Sequence, residues 1–284
     1  MIAITGANGQ LGRLVIDALL KRVNPKNVIA LVRDPAKAQD LKEKGLDVRQ
    51  ADYDQPGTLQ SALVGVDQLL LISSSEVGQR TQQHRAVIDS AKAAGVKLLA
   101  YTSVLHGGKS SLGLAAEHVE TEQALAESGL NHVLLRNGWY NENYTAGVKP
   151  AVEHGAILGS AGDGRISSAA RADYADAAAV VLTTTGHAGK IYELAGDESY
   201  SLVELAAEVS LQSGKAVVYT DLSEEKYKSA LVSIGLPEGL ASMLADSDAA
   251  AAKGALFDDS HELSRLIGRK TTPISESVAV ALSE

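Results

Sequence analysis

Apolar positions along this chain recur in two alternating patterns. Short runs such as Ile2–Thr5, Val28–Val32 and Asp67–Ile72 read as buried strands, and the stretches after them bring apolar residues back every three or four positions. After the first run, Leu11, Leu14, Val15, Ala18 and Leu19 mark one face of a helix. The alternation then predicts a helix over about Ala36–Lys44, a strand at Asp47–Gln50 and a helix over about Thr58–Leu63. Beyond the Asp67–Ile72 strand come a helix from about Val77 to Ala94, a strand at Lys97–Thr102, a helix from about Leu114 to Glu127 and a sixth strand at His132–Leu135. Gly95 and Gly129 follow these two helices, where glycine accepts the left-handed conformation that closes a helix. Strands and helices alternating at short period predict an α/β fold, a Rossmann-like doubly wound parallel sheet with helices on both faces. From about Val148 the rhythm weakens. Short strands (Ile157–Leu158, Ile191–Leu194, Val217–Thr220) mix with helices at Tyr174–Leu182, Leu202–Ser213 and Glu225–Ile234, and Ala249–Ala252 is a helix-prone run. This predicts a first domain over 1–147 and a smaller C-terminal α/β lobe over 148–284, interleaved with the first. No internal repeat or low-complexity linker is present.

The break after the first strand carries chemistry. Gly6, Gly9 and Gly12 stand three residues apart between a predicted strand and a predicted helix. Gly6 permits a tight turn, Gly9 lets backbone N–H groups approach a pyrophosphate, and Gly12 lets the helix pack closely. The helix N-terminus then turns partial positive charge towards the phosphates. The spacing is G-x-x-G-x-x-G, so the strand–turn–helix context, rather than the glycines alone, supports a dinucleotide site. Arg33 ends the second strand, 21 residues beyond Gly12. At this offset an acidic residue would hold the ribose of NAD, and an arginine would accommodate the 2′-phosphate of NADP with its planar fork. Asp34 complicates the choice, since it can accept from a ribose. Asp34-Pro35 also reads as an N-cap followed by proline at the first helical position, which would occupy the carboxylate. NADP is the favoured cofactor.

Composition narrows the partners. The 284 residues are 45% hydrophobic, ample for a large core. There is no cysteine, which excludes disulfides, thiolate catalysis and thiolate metal sites; no metal is expected. Net charge is −9 without a basic block, and one Trp, nine Tyr and one Phe offer few stacking platforms, so nucleic acid is not an expected partner. No apolar segment is long enough to span a bilayer and no signal peptide fits before Gly6, so a cytoplasmic protein is expected.

In a doubly wound sheet, ligands bind outside the carboxyl ends of the strands. Asp52-Tyr53 either flanks an adenine or forms a capped turn. Ser73, Ser74 and Ser75 can reach a ribose or nicotinamide, while Ser73 with Glu76 fits a capping box for the next helix. Thr102-Ser103 ends the fifth strand. Arg136-Asn137-Gly138-Trp139-Tyr140 ends the sixth and places an amide, a glycine and two aromatics where a nicotinamide or flat substrate would lie; alternatively the aromatics seal the junction of the lobes.

The glycine triplet, Arg33 and the Arg136-Asn137-Gly138 strand end together resemble the NmrA-like branch of atypical short-chain dehydrogenases. Met1–Leu11, Ala36–Ala38, Val48–Tyr53, Leu70–Arg80, Arg136–Tyr140, Ala161–Gly164 and Ala245–Asp248 look most like its zinc-free bacterial NADPH:quinone oxidoreductases, along the whole chain. Triphenylmethane dye reductases are similar in overall plan. The resemblance implies NADPH in a cleft between the domain and the lobe, held by Gly6, Ala7, Asn8, Gly9, Gln10 and Leu11, by Arg33, by Ser73 to Ser75, and by Asn137, Gly138, Trp139, Tyr140, Asn141 and Glu142. It also implies hydride transfer to a quinone.

The chain departs from the wider short-chain dehydrogenases at the catalytic step. Their Tyr-x-x-x-Lys pair is missing: Leu114 stands at the tyrosine position and His118 near the lysine position. A quinone suits this loss, because it takes hydride directly and its oxyanion is delocalised. Asn137 is expected to position the nicotinamide or the quinone, Tyr140 to line the substrate side, and His118 to donate a proton or orient the ribose with a pKa near the working pH. The competing reading is an NmrA-like redox-sensing regulator that binds the dinucleotide without turnover. An epimerase is disfavoured, since that chemistry relies on the absent tyrosine. Oligomeric state stays open.

Overall fold

The computed structural model describes residues 1–284. In chain order the elements are β1 (Ile2–Ile4), α1 (Gln10–Leu20), β2 (Val28–Val32), α2 (Gln39–Glu43), β3 (Asp47–Gln50), α3 (Pro56–Ala62), β4 (Gln68–Leu71), α4 (Arg80–Ala94), β5 (Leu98–Val104), α5 (Ala115–Ser128) and β6 (His132–Asn137). Then follow α6 (Asn141–Thr145), α7 (Val148–His154), β7 (Ala156–Gly159), α8 (Arg171–Thr183), β8 (Ile191–Leu194), α9 (Leu202–Ser213), β9 (Val218–Asp221), α10 (Glu224–Ser233), α11 (Glu238–Ala251), α12 (Glu262–Ile267) and α13 (Ile274–Ser283).

The main sheet has seven strands in the order β3-β2-β1-β4-β5-β6-β8, and every pairing from β3 across to β6 is parallel. This is the doubly wound α/β arrangement expected from the alternation. Its switch point lies between β1 and β4, where successive crossovers leave towards opposite edges. All five residues of β2 are buried, as a strand covered on both faces requires. One sheet face, carrying Ala3, Ile29, Leu31, Leu69, Leu71, Leu99, Tyr101 and Leu134, packs on Leu59, Val87, Ile88, Ala91 and Leu125 from α3, α4 and α5 and on Leu63, which closes α3.

Several boundaries differ from the sequence reading for local reasons. The expected helix at Ala36–Lys44 is a 3₁₀ turn, Pro35–Ala38, followed by α2; Asp34 caps the turn by accepting from the Ala36 N–H. Helix α4 starts at Arg80 rather than Val77. Ser74 Oγ accepts from the Glu76 N–H, and Gly78 takes φ +87°, so the chain is still turning there. The expected capping box of Ser73 with Glu76 therefore does not form. Glu117 of α5 accepts from the Gly78 and Arg80 N–H groups instead. Strands β5 and β6 extend to Val104 and Asn137 because those residues pair with each other.

The chain forms two compact units. The first comprises Met1–Gly107, Ala116–Asn137 and Ala172–Tyr192; the second comprises Gly108–Ala115, Gly138–Arg171 and Glu193–Glu284. The second holds the parallel pair β7–β9, the packed helices α10 and α11, and α13 against α6, α7 and α9. No helix is long and apolar enough to cross a membrane.

Candidate functional site

The turn after β1 has the geometry its glycines predict. Gly6 sits at φ +58°, a left-handed conformation that strains other residues, and its carbonyl accepts from the Gly9 N–H at 2.8 Å. Gly12 presses helix α1 onto this loop: a Cβ there would lie 2.8 Å from Ala7 Cα and closer still to the Gly6 carbonyl oxygen. Gly9 is the N-cap of α1 and brings no side-chain cap, and the first turn carries no acidic residue. The opening N–H groups of α1, from Gln10 and Leu11, are thus left for a ligand, as a pyrophosphate cradle requires. Ala7 and Leu11 are buried beneath the loop, and Asn8 Oδ1 accepts from Arg13 Nη2 at 2.8 Å.

The neighbouring strand ends lie in the same row. Ile72 N–H donates to Thr5 Oγ1 and Ser73 N–H to Thr102 Oγ1, which joins the carboxyl ends of β1, β4 and β5. Arg33 at the end of β2 is largely exposed and reaches the segment after β4, donating from Nη1 to Glu76 Oε1 at 2.9 Å. An exposed guanidinium here suits a 2′-phosphate. Asp34 is engaged as a cap, so its carboxylate is not committed to a ribose. Asp52 caps its own turn by accepting from the Asp54 N–H, and the hydroxyl of partly buried Tyr53 donates to the Ile72 carbonyl, which is the capped-turn alternative.

A buried polar tier supports the Ser73–Ser75 loop. The Ser74 N–H donates to His84 Nε2 at 2.9 Å, and Arg80 Nε donates to the Ser74 carbonyl at 2.8 Å, so this residue is gripped on both sides. His84 Nε2 accepts; Nδ1 therefore carries the proton in the neutral ring and bonds Thr121 Oγ1 at 2.9 Å. Sequence reasoning missed His84, Arg80 and Glu117, because their partners are six to 39 positions away and no local pattern marks them.

Asn137 closes β6. It is buried, and its Oδ1 has no hydrogen-bond partner within the chain. An orphaned amide oxygen at a strand's carboxyl end is costly unless a ligand donor meets it, which fits the carboxamide of a nicotinamide. Beside it, Arg136 forms a two-point pair with Glu122, Nε to Oε1 at 2.9 Å and Nη2 to Oε2 at 2.6 Å, and Ser103 Oγ donates to the same carboxylate.

His118 does not match its expected titration. It lies on α5, 5% exposed, with Nδ1 2.7 Å from the hydroxyl of buried Tyr101. Burial, then the Arg80 charge and the neighbouring His84, push its pKa down to about 3. A histidine so far below neutrality carries no proton to give at pH 7. The expectation of an acid with a pKa near the working pH is corrected, because its charged form has lost its water.

In the second unit, Gly138 N–H donates to the Leu194 carbonyl and Trp139 to Tyr140 run beside Ala169. The Arg171 guanidinium lies 4.8 Å from the Tyr140 ring centre, a cation–π contact that fixes the ring. Asn141 is fully buried and its amide is committed: Nδ2 donates to the Thr272 carbonyl and Ser277 Oγ, and Oδ1 accepts from Ser168. Glu142 accepts from the Arg171 N–H with both oxygens. These side chains hold their own loop.

The fold and the glycine loop define a Rossmann-type nucleotide-binding protein. The chain belongs to the NAD(P)H-binding family, whose model matches residues 6–185. It is 61% identical over 279 residues to quinone oxidoreductase 2 of Escherichia coli (strain K12), covering 98% of each chain. The crystal structure of NADPH-dependent quinone oxidoreductase from Escherichia coli, complexed with NADPH, superposes with a TM-score of 0.98 over 99% of this chain and 100% of that one. Triphenylmethane reductase of Citrobacter sp., complexed with NADP(H), superposes at 0.96 with 40% identity, over 99% of this chain and 100% of that one. These findings bear out the kinship drawn from the sequence motifs.

Proposed function

We propose that the chain is an NADPH-dependent reductase that transfers hydride to quinones. Full-length kinship with a quinone oxidoreductase carries this reading, and the glycine cradle, the exposed Arg33 and the orphaned Asn137 amide agree with it. NADPH, when bound, supplies the hydride. The chain's residues bind and orient. The α1 N-terminus and the Gly6–Leu11 backbone meet the pyrophosphate, Arg33 meets the 2′-phosphate, and Asn137 holds the nicotinamide end in register. Tyr140, fixed by Arg171, offers a flat surface for a quinone ring. His118 stays neutral and shares a hydrogen bond with the Tyr101 hydroxyl, so it is a positioning residue and the hydroquinone oxygens draw their protons from solvent. A reduced quinone oxyanion is delocalised and needs little acid help, so stacking and orientation supply most of the rate. The cytoplasm, where reduced nicotinamide is kept, is the compartment this activity suits.

A spectrophotometric assay tests the proposal. NADPH should be oxidised rapidly only when a benzoquinone is present; tight NADPH binding without quinone-dependent turnover would favour a redox-sensing regulator. Asn137→Ala should lower kcat by about 10²-fold, the scale of a small misorientation, with a much smaller change in NADPH affinity. Full activity in that variant would remove Asn137 from the site. Kinship with the dye reductase singles out triphenylmethane dyes as the second acceptor to assay.

A further inference from the structure

Arg33 shares its ion pair with a carboxylate that the mechanism does not use. Glu76 bonds Arg33 Nη1 through Oε1 at 2.9 Å. Its other oxygen, Oε2, accepts from Gln83 Nε2 at 2.9 Å. Gln83 is 3% exposed on α4 and donates also to Asp54 Oδ1 at 3.1 Å, while its own Oε1 has no partner. The Glu76 backbone is held as well, its N–H donating to Ser74 Oγ at 3.1 Å. Glu76 is therefore anchored from behind by a buried amide, and only its outer oxygen faces the guanidinium. The pair itself is exposed, with side chains 69% and 42% accessible, so water and salt screen it and a dianion can displace it.

We infer that Glu76 is a cofactor-specificity residue, which occupies Arg33 in place of the 2′-phosphate of NADPH and must be displaced when that phosphate binds. The inference rests on the reading of Arg33 as the 2′-phosphate partner. A phosphate that takes both prongs of the Arg33 fork breaks the Glu76 bond. Gln83 keeps the freed carboxylate close by, where it faces the phosphate as a like charge. A cofactor ending in a 2′-hydroxyl pays neither penalty, since it leaves the Arg33–Glu76 pair intact and can donate to Glu76. Glu76 thus narrows the preference for NADPH over NADH below what Arg33 alone would provide. Specificity set by a repulsive element beside an attractive one is a general device.

Calorimetric binding to the full chain tests this with two probes that differ only in the 2′-phosphate, adenosine 2′,5′-bisphosphate and adenosine 5′-monophosphate. The wild type should prefer the bisphosphate, and Arg33→Ala should erase that preference by tenfold or more, on the order of a lost charged hydrogen bond. Glu76→Gln, which keeps the Gln83 contact, should tighten the bisphosphate about two- to fivefold, the scale of an exposed ion pair, and leave the monophosphate within about twofold. The gain should shrink in the Arg33→Ala background, and Glu76→Ala should act in the same direction as Glu76→Gln. Weaker bisphosphate binding in Glu76→Gln would make Glu76 a support for Arg33 and overturn the inference. An equal change for both probes, no change, or an undiminished gain without Arg33 would overturn it too. A wild type that binds both probes alike, or an Arg33→Ala protein that keeps the preference, would instead overturn the assignment of Arg33 and the inference with it.

Discussion

In the first unit two buried histidines are titratable bases, and in the second a buried aspartate is a titratable acid. His84 and His118 are each pushed down to about 3, in both cases first by burial and then by the Arg80 charge. Asp248 on α11 is pushed up from 3.8 to about 6, again first by burial and then by the Asp221 carboxylate. Its Oδ2 accepts from the Ser160 N–H, and Tyr144, Tyr200, Tyr219 and Tyr227 all feel its charge. One physical penalty, loss of water around the charged form, disfavours the charge on both kinds of group and gives opposite responses to pH. The histidines bind protons in the unfolded chain below 6.5 but not in the fold, so their contribution is complete above 6.5 and is lost as pH falls towards 3. The aspartate stays protonated in the fold after the unfolded chain has ionised, so stability is lost as pH rises from 3.8 to 6. Acidification therefore weakens the first unit while relieving the second.

Three measurements can break or sharpen this contrast. The largest effect is expected from glycines pressed against backbone, which serve different ends in the two units. Gly12→Val should lose NADPH binding altogether and about 3 kcal/mol of stability, since its Cβ would meet the Gly6–Ala7 backbone. Gly196→Val, whose Cβ would lie 2.8 Å from the Ser168 carbonyl carbon, should cost similar stability in the second unit but leave NADPH affinity within about threefold. Normal calorimetric binding by Gly12→Val would show that close approach there serves packing alone. Next, Asp248→Asn should stabilise the protein by about 3 kcal/mol at pH 8, and the gain should vanish below pH 4. Asn can still accept from Ser160. Denaturant unfolding in which the variant is less stable at pH 8 would mean that the ionised carboxylate is needed. The last concerns His118→Gln, which retains a polar partner for the Tyr101 hydroxyl. It should flatten the fall of stability between pH 6.5 and 4 by about 1.4 kcal/mol per pH unit. An unchanged slope would mean that His118 is charged in the fold.

Much of this was readable from the chain alone. Strands β2, β3 and β8 and helix α9 fall where the apolar pattern puts them, because period and capping act within a few residues. Gly6 and Gly12 could be assigned their turn and contact from spacing, since a strand–turn–helix unit closes on itself. Helices α6, α7, α12 and α13 escaped. Each is ten residues or fewer, and the stability of so short a helix comes from tertiary packing, as when α13 settles on α6, α7 and α9. The candidate site divides the same way. The pattern found Asn137 as a strand end, but only the fold leaves its amide oxygen orphaned. It found His118 on a helix, but only the packing beneath Tyr101 strips the water that its charge would need. Arg33 stands at a legible offset from the glycines, whereas its partner Glu76 is 43 residues away. The strand order β2-β1-β4 brings those two chain segments to the same end of the sheet with only β1 between them, and no local periodicity encodes an order of strands. The sequence by itself determined the fold class, the glycine turn after β1 and the position of Arg33 at the end of β2. The tertiary structure alone decided which side chains lose their water and which meet across the sheet, because both depend on neighbours distant in the chain.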